Sequence, residues 1–410
     1  MPQVSMVTLP RANLVVSFVI STHNRRGVLI RTLAQLHRCG LSAEGFEILV
    51  VDNASRDRTA DTVQRQFPRV RVIRMRRNRG ACAKNIAIHE ARGRYVIFLD
   101  DDSFPAPGSV ARMVRHFEAD PHLGAAVFTI TLPDGSQECS AYPDVFIGCG
   151  TGFRRRALID VGGLPNDFFM QAEEYDLSLR LLDAGWDVQR FDDLNVTHLK
   201  TPSARRSWRT MRLDVRNNFI VAMRYLPSQW RWRFARDWMR RYWKIAASKG
   251  QRTAFVVGLL GGLNRITQPR YRRTVTPDVF EQFARVNQIK IRLFHAKQQH
   301  KLRSLLFIDY GKNMLPYWLA ARACGLEVVA IADERLAGSG TYRGIPIVTD
   351  AVARKLEYDA AIISNSSPVH AAQRAERWQQ LDGRKVIDLL ATLPMAVPVA
   401  QTPQQRAMAA

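Results

Sequence analysis

The chain has 410 residues, of which 46% are hydrophobic, so it is long enough for two domains with buried cores and is not a disordered or fibrous protein. Its five cysteines are scattered and form no Cys-x-x-Cys pair, which argues against a disulfide framework or a zinc site and fits a reducing cytosol. The formal net charge of +23 favours an anionic partner.

Apolar, β-branched runs alternate with helix-length segments over the first hundred residues. The predicted strands are 14–21, 47–52, 70–75 and 95–99, and the predicted helices are 27–38, 57–67 and 80–91. This alternation predicts an α/β fold with a mostly parallel sheet, whose ligands bind beyond the carboxyl ends of the strands. The residues that follow the strands are therefore the site candidates: Thr22, His23, Asn24, Asp52, Asn53, Asn78 and Asp100 to Asp102.

A further strand is predicted at 125–131, followed by a glycine-rich segment at 148–152 and a turn at Gly162-Gly163. Residues 173–184 read as a helix, because apolar leucines recur on one face and Asp176 and Arg180 form an i,i+4 pair. Gly185 lies where a C-terminal cap belongs. This helix carries Glu173 and Glu174 in its first turn.

Three consecutive carboxylates, Asp100, Asp101 and Asp102, end the apolar strand at 95–99. Like charges at contact distance repel and raise one another's pKa, and a divalent cation relieves that repulsion. Oxygen ligands of this kind suit Mg²⁺ or Mn²⁺. The alternative is a solvated acidic turn that caps the next helix.

Several ordered motifs over residues 15–200 resemble the inverting glycosyltransferases of family 2, which have the GT-A fold. They are the segment from Ile20 to Arg25, the segment from Val50 to Ser55, Asn78-x-Gly80 with Lys84-Asn85, the Asp-Asp-Asp cluster, Gly162-Gly163, the segment from Phe168 to Leu177, and His198. Several motifs that occur in the family's order and structural context identify the family more specifically than any single motif does. The resemblance implies transfer of a sugar from a UDP- or dTDP-linked donor to a hydroxyl acceptor.

The resemblance also implies roles for single residues in the donor pocket. Asp52 would hydrogen-bond the nucleotide base, although it could instead cap the turn that follows. Thr22 and Asn24 would line the same pocket, and His23 stands where the family often has an aromatic residue. Asn78, Lys84, Asp100 and Asp101 complete the donor-binding set; of these, Asp100 would face the ribose, and Lys84 stands where the family often has an arginine.

For the metal, the resemblance implies Asp102 and His198 as ligands of Mg²⁺ or Mn²⁺. The cation would stabilise the negative charge that develops on the leaving diphosphate. Without the resemblance, a lone histidine such as His198 is more often an ordinary surface or core residue.

In the family the pair at Glu173 and Glu174 is Glu-Asp, and its second member is the general base. The resemblance therefore implies Glu174 as the general base. A base at this place removes the acceptor proton as the oxygen attacks the anomeric carbon. Glu173 could substitute for Glu174 or share the site, and both residues also suit a helix N-terminus. The Glu-Glu form is similar to that of rhamnosyltransferases, by analogy only.

The excess of positive charge lies almost entirely in residues 200–303, which carry 25 Lys or Arg, four acids and five of the eight tryptophans. Three interpretations are open: helices whose tryptophans pack on the catalytic domain, a surface for an anionic inner membrane, and a nucleic-acid site, which ranks last because no nucleic-acid fold is recognised. In the membrane interpretation, Arg231 to Phe234 and Arg240 to Trp243 would lie on the bilayer. A lipid-linked acceptor would then be near.

Residues 253–263 form the longest apolar run, about half of the roughly 20 residues that a membrane span needs. Residues 1–13 show no signal peptide. We therefore expect a cytoplasmic protein without a transmembrane helix, with the inner face of the cytoplasmic membrane as a peripheral location.

Strand patterns at 305–309, 327–333, 360–364 and 385–389 predict a second, small Rossmann-like domain. Its first loop contains only Gly311 of a Gly-x-Gly-x-x-Gly fingerprint, so a docking or regulatory role is favoured over a second active site. The predicted parts are a GT-A catalytic domain at 1–225, a basic helical region at 226–303, the Rossmann-like domain at 304–393 and a disordered tail at 394–410.

Two rival functions share some of these features. A nucleotidyltransferase also uses a parallel sheet and carboxylate-bound Mg²⁺, but residues 21–27 do not supply its glycine-rich, basic triphosphate loop. A non-catalytic scaffold that binds a membrane or another anion would leave the acidic cluster without a function.

Overall fold

The computed structural model describes residues 14–37, 45–200, 207–267 and 272–391. The predicted tail at 394–410 and the N-terminal residues 1–13 lie outside the described residues. Two sheets and a group of helices between them organise the described chain.

The first sheet has nine strands within the described ranges: β1 (Val16–Thr22), β2 (Phe46–Asp52), β3 (Arg71–Arg74), β4 (Tyr95–Asp100), β5 (Ser103–Pro105), β6 (Leu123–Thr131), β7 (Gln137–Glu138), β8 (Gly150–Arg154) and β9 (Asp187–His198). Their order is β3-β2-β1-β4-β8-β6-β9-β5, and β7 pairs with β6. The first four strands of this order are parallel to one another, and β8 runs antiparallel to both of its neighbours. The predicted α/β fold with a mostly parallel sheet is confirmed.

Helices cover both faces of this sheet: α1 (Arg26–Leu36), α2 (Thr59–Gln66), α3 (Lys84–Glu90), α4 (Ser109–Ala119), α5 (Arg155–Val161) and α6 (Glu173–Asp183). Alternate residues of β1 therefore enter different cores, with Phe18 and Ile20 in one and Val19 in the other. In α6 the predicted pair forms, with Arg180 Nε 2.8 Å from Asp176 Oδ1, and Gly185 follows the helix with a φ of 80°.

The basic region consists of α7 (Ser207–Tyr225), α8 (Ser228–Ser248), α9 (Arg252–Ile266), α10 (Pro277–Ala284) and α11 (Val286–His300). Its inner side shares one hydrophobic core with the first sheet, because Phe234 and Trp238 join the same cluster as Phe98 and Phe153. The interpretation that the tryptophans pack on the catalytic domain therefore holds for Trp238.

The side chains predicted to lie on a membrane divide between the two sides of α8. Arg231, Phe234 and Tyr242 are buried, so they are part of the protein interior. Trp232 and Trp243 are exposed. Across the described ranges, no helix combines the length and apolar character that a membrane crossing needs.

The second sheet is built from β10 (Ser304–Ile308), β11 (Glu327–Ala332), β12 (Thr341–Tyr342), β13 (Ile345–Val348), β14 (Ala360–Ile363) and β15 (Val386–Ile387), with helices α12 (Met314–Ala323), α13 (Asp350–Ala353) and α14 (Pro368–Asp382). Its order is β12-β13-β11-β10-β14-β15, and every pairing except β12 with β13 is parallel. A second α/β unit with its own sheet is thus present, as the strand patterns predict.

An ion-pair network links α14 to the residues that follow β10 and β13. Arg374 on α14 donates from Nε to Asp309 Oδ1 at 2.8 Å, and its Nη2 pairs with Asp350. The docking or regulatory role of this unit stays a prediction.

Lys312, in the loop after β10, reaches out of the second unit into the first. Its Nζ donates to Asn218 on α7 and lies 3.6 Å from the ring centroid of Tyr175 and 4.7 Å from that of Trp238. Burial lowers the pKa of Lys312 to about 7. The second unit therefore packs directly on α6, the helix that carries Glu173 and Glu174.

Candidate active site

The carboxyl ends of β1, β2 and β4 meet at one edge of the first sheet. Thr22 pairs in register with Asp52, and Ser21 pairs with Asp100. Because the three strands are parallel, the residues that follow them lie side by side. The structure thus brings together the candidate residues that follow three different strands.

The loops after β1 and β2 are tied to each other by hydrogen bonds. His23 Nδ1 lies 2.8 Å from the carbonyl oxygen of Asn53, and Asn24 Oδ1 accepts from the backbone N–H of Arg56 at 2.7 Å. Asp52 is buried, and its Oδ1 accepts from the N–H of Ser55 at 3.1 Å. This hydrogen bond supports the alternative in which Asp52 caps the turn. Binding of the nucleotide base by Asp52 stays a prediction.

Lys84 and Asn78 lie on the neighbouring side of the same edge. Lys84 is buried and its Nζ is 3.4 Å from Asp100 Oδ1 and 3.1 Å from the carbonyl oxygen of Gly148. Asn78 Oδ1 accepts from the N–H of Gly80 at 2.9 Å. A Cβ on Gly80 would lie 1.8 Å from the carbonyl oxygen of Phe169, so only glycine allows these two turns to pack.

Arg25 neutralises two of the three carboxylates in the acidic cluster. Its Nη1 is 2.6 Å from Asp101 Oδ1 and its Nη2 is 2.8 Å from Asp102 Oδ2. Asp101 also accepts from Thr22 Oγ1 at 2.7 Å, yet burial raises its pKa to about 6. The hydrogen bond between Thr22 and Asp101 thus fixes both side chains in the lining of the predicted donor pocket.

His198 lies between two carboxylates. Its Nε2 is 3.3 Å from Asp102 Oδ1 and its Nδ1 is 2.7 Å from Glu138 Oε2. Although burial alone would lower the pKa of His198, hydrogen bonds with Asp102, Cys149 and Glu138 raise it to about 12. Burial likewise acts against ionisation of Asp102, but the hydrogen bonds from His198 and Arg25 outweigh it and lower the pKa of this carboxyl.

The donor atoms that could hold a cation are those of Asp100, Cys149 and His198, which lie within 4.8 Å of one another. The side chain of Asp100 is 37% exposed, against 4% for Asp102. Carboxylate and imidazole donors fit a divalent cation. The predicted pair of Asp102 and His198 is adjacent in the structure, but Asp100 is the acid that is open to the cleft.

A strained turn aims Glu173 and Glu174 toward this edge. Gln171 and Ala172, directly before α6, have φ values of 73° and 64°, which cost energy for residues other than glycine. Asn217 on α7 holds the turn, because its Nδ2 donates to the carbonyl oxygens of Met170 at 2.9 Å and Gln171 at 2.8 Å.

The two glutamates differ in their surroundings. Glu173 Oε2 is buried and has no hydrogen-bond partner among the described residues. Burial and the neighbouring charge of Glu174 raise the pKa of Glu173 far above its ordinary value, and burial also raises the pKa of Glu174. Glu174 Oε1 lies 3.5 Å from the position that a Cβ on Gly148 would take. Of the two, Glu174 is therefore the carboxyl that ionises more readily.

A single cleft of about 1570 Å³ joins these groups. Ten of the twelve predicted site residues line it: Thr22, His23, Asn24, Asn78, Lys84, Asp100, Asp101, Glu173, Glu174 and His198. Asp52 and Asp102 lie behind this surface and are both buried. Arg335, His370 and Gln373 from the second unit also line the cleft.

Four residues of the site carried no assigned role in the sequence. Arg25 belonged to a recognised motif, but its partners at Asp101 and Asp102 are distant in the chain. Glu138, Cys149 and Asn217 reach the site from β7, the glycine-rich segment and α7. A single acid, thiol or amide has no local pattern, so only the fold reveals these contacts.

The family model described as "Glycosyl transferase family 2" matches residues 17–142. The chain contains a family 2 glycosyltransferase domain. In the structure, the matched part of this glycosyltransferase domain runs from β1 to Tyr142 and includes the acidic cluster and Glu138.

Curated relatives resemble the glycosyltransferase domain over part of their length. Succinoglycan biosynthesis protein ExoO of Rhizobium meliloti (strain 1021) is 36% identical over 108 residues, which are 25% of this chain and 30% of that protein. An uncharacterized glycosyltransferase of Haemophilus influenzae is 26% identical over 184 residues, which are 40% of this chain and 61% of that protein. The chain therefore spans less than two thirds of either relative.

Among solved structures, the Staphylococcus aureus TarS fragment 1–349 in complex with UDP-GlcNAc is 15% identical, with a TM-score of 0.46. The likeness covers 76% of this chain and 92% of that one.

Proposed function

We propose that this chain transfers a sugar from a UDP- or dTDP-linked donor to a hydroxyl group of an acceptor, with inversion at the anomeric carbon. The observation that carries the proposal is the single cleft, which Asp100, His198 and Glu174 all line. The family 2 glycosyltransferase domain supports the reaction class. An acceptor in polysaccharide or glycolipid assembly is the accompanying proposal, and the relative named for succinoglycan biosynthesis supports it.

In this proposal Glu174 is the general base. Its carboxylate takes the proton of the acceptor hydroxyl while that oxygen forms a bond to the anomeric carbon. The bond from the anomeric carbon to the diphosphate oxygen breaks in the same step, so the electron pair leaves with the nucleoside diphosphate. A displacement of this kind from the opposite face inverts the configuration at that carbon.

The proposed metal, Mn²⁺ or Mg²⁺, would be held by Asp100 and His198, with Asp102 or Cys149 as the further donor. When bound, it would supply stabilisation of the negative charge on the diphosphate. Glu138 would orient the His198 ring through Nδ1, as carboxylates commonly do for metal-bound histidines. Lys84, beside Asp100, adds a fixed positive charge on the same side of the cleft.

The base assignment is tested by a matched pair of variants, Glu174→Gln and Glu173→Gln. With a panel of nucleotide sugars that includes UDP- and dTDP-linked donors, wild-type protein should release nucleoside diphosphate in a Mn²⁺-dependent manner. Glu174→Gln should lower turnover by about 100-fold or more, since it removes the base. Glu173→Gln should retain most of the turnover, because the neutral amide resembles a protonated carboxyl.

Equal turnover in Glu174→Gln and wild type would contradict the assigned role. Release of pyrophosphate from a nucleoside triphosphate, with no reaction of any sugar nucleotide, would favour a nucleotidyltransferase instead. Binding without turnover of any donor would favour a scaffold.

A further inference from the structure

The outer face of α9 presents a row of apolar side chains to solvent. Residues 253–264 contain no charged side chain. At 100° per residue, four exposed positions fall on one face of the helix. This row is named the α9 patch, and it consists of Val256, Val257, Leu260 and Leu263. Leu260 is 60% exposed, the largest exposed fraction of the four. Adjacent apolar side chains of this kind mark an interaction site more often than isolated ones do.

The opposite face of α9 is held tightly against α7. A Cβ on Gly258 would lie 2.5 Å from the carbonyl oxygen of Arg212, and a Cβ on Gly262 would lie 2.9 Å from Cδ1 of Phe219. Two glycines four residues apart thus bring the two helix backbones together. Because this face is fixed, the α9 patch cannot turn inward to hide its side chains.

Tryptophans with adjacent arginines contact α9 next to the α9 patch, at Thr253 and Phe255. Trp208 on α7 donates from Nε1 to Thr253 Oγ1 at 3.1 Å, and the Arg212 guanidinium lies 5.9 Å from its ring. Trp243 on α8 contacts Phe255 with ring centroids 5.2 Å apart, and Arg252 lies 5.9 Å from the Trp243 ring. Amphipathic rings beside cations are typical of proteins at a membrane–water interface.

The helix α7, against which α9 packs, also reaches the catalytic cleft. Arg209 follows Trp208 on α7, and its guanidinium carbon lies 3.9 Å from the ring centroid of Phe169. Arg209, Thr210 and Phe169 all line the cleft. One helix, α7, therefore both packs against α9 and contributes to the lining of the cleft.

We propose that the α9 patch docks on an anionic lipid bilayer, with α9 lying in the plane of the interface. The helix has 15 residues, about 22 Å at 1.5 Å per residue, so it is shorter than the roughly 30 Å hydrocarbon core. An apolar row flanked by tryptophan and arginine is the composition of an interfacial helix. The link to acceptor delivery rests on the proposed transferase function, whereas the docking itself does not.

Charge favours a bilayer over other occupants of the α9 patch. A symmetric dimer formed through the patch would bring the arginines of both copies into one interface, where like charges repel. Anionic headgroups would instead pair with Arg212 and Arg252 while the acyl chains receive the leucines and valines. A nucleic acid would satisfy the arginines but would leave Leu260 and its neighbours in water.

Flotation with vesicles tests the docking without any sugar transfer. Wild-type protein should float with vesicles of 30% phosphatidylglycerol in phosphatidylcholine at low salt, and much less with pure phosphatidylcholine. Leu260→Glu should weaken binding by about tenfold or more, because it places a charge in the apolar face. Ile291→Glu is the matched control, since Ile291 on α11 is 55% exposed and lies outside the α9 patch. It should bind as wild type does.

Quenching of tryptophan fluorescence by brominated lipids gives a second measurement. Trp208 and Trp243 contact α9 next to the α9 patch, so the double variant Trp208→Phe with Trp243→Phe should lose most of the quenching. Absence of wild-type flotation, equal flotation of Leu260→Glu, or equal weakening in the Ile291→Glu control would overturn the proposal. A dimer that Leu260→Glu dissociates, or an oligonucleotide that binds when vesicles do not, would also overturn it. Donor turnover measured in parallel keeps these outcomes separate from the transferase proposal.

Discussion

In the proposed metal site, the neighbours of His198 would fix its ring for a cation. Both ring nitrogens face carboxylates, Asp102 through Nε2 and Glu138 through Nδ1. These hydrogen bonds raise the pKa of His198 and so favour a proton on the ring. A cation that binds Nε2 must replace that proton, while the contact with Glu138 can remain and keep the ring in place.

The glutamate pair predicts the pH dependence of turnover. Burial raises the pKa of Glu174 above its ordinary value of 4.5, and a base acts only when it is unprotonated. Activity should therefore fall as the pH drops through this raised pKa, at a pH above that of an ordinary glutamate. We expect kcat/KM against pH to show this acid limb in wild type.

The Glu173→Gln variant serves as the control for this profile. It should keep the acid limb at the pH of wild type, because Glu173 is protonated when Glu174 ionises and a neutral amide then replaces a neutral carboxyl. An acid limb that disappears in Glu173→Gln would assign the base to Glu173 instead.

At the residue scale, the sequence predicts those members of the site that follow strands or open a helix. Thr22, Asp100 and Glu174 are of this kind, because strand ends and helix starts are visible in hydrophobic patterns. Arg25 and Glu138 are not, since their partners depend on tertiary folding. The three aspartates of the acidic cluster also differ in burial, which the sequence alone cannot indicate. Asp100 is open to the cleft, whereas Asp101 and Asp102 are buried and paired with Arg25.

Among the elements, the turn before α6 depends most on a neighbour. Its residues Gln171 and Ala172 adopt positive φ values, and the two hydrogen bonds from Asn217 compensate for that strain. The position of Glu174 therefore depends on a helix that the family model does not match.

Replacing Asn217 by Ala should release this turn. We expect a loss of about 1 to 3 kcal/mol in the free energy of unfolding, since two partly buried carbonyl groups lose their donor. Turnover should fall more than donor affinity, because the base moves while the donor pocket stays. Urea unfolding and steady-state kinetics measure the two effects, with Asn287→Ala on the exposed side of α11 as the control. Unchanged turnover would show that the turn keeps its shape without Asn217.

Elements differ in how well hydrophobic patterns predict them. The strands of the first sheet up to β4 agree with their predicted ranges within about two residues, because each is a compact apolar run. The 12-residue β9 alternates polar and apolar residues irregularly, and the two-residue β7 is too short for any pattern. Both elements nevertheless carry residues of the candidate site, His198 and Glu138.

For the whole molecule, Lys312 couples the second unit to the first through a buried cation. The pKa of Lys312 in the folded protein, about 7, lies below its ordinary value of 10.5. Between these two pH values the unfolded chain binds more protons than the folded chain, so stability should rise with pH across that window. The cation contacts with Tyr175 and Trp238 moderate the effect.

The Lys312→Met variant tests this coupling. It keeps the side-chain volume and removes the titrating group, so its stability should lack the rise of up to about 1.4 kcal/mol per pH unit that wild type shows between pH 7 and 9. Urea unfolding at several pH values measures the difference. Parallel curves for the two proteins would mean that Lys312 stays fully charged at its site.

The contact between the two units has a consequence for their evolution. This contact consists of the core shared by the first sheet and the helical region, together with Lys312. Trp238 contacts both Tyr142 on its inner side and Lys312 from the second unit. A foreign C-terminal unit grafted onto this catalytic domain would leave the rings of Tyr175 and Trp238 without their cation. The two units are therefore expected to be inherited as a pair, with substitutions on one side of the junction compensated on the other.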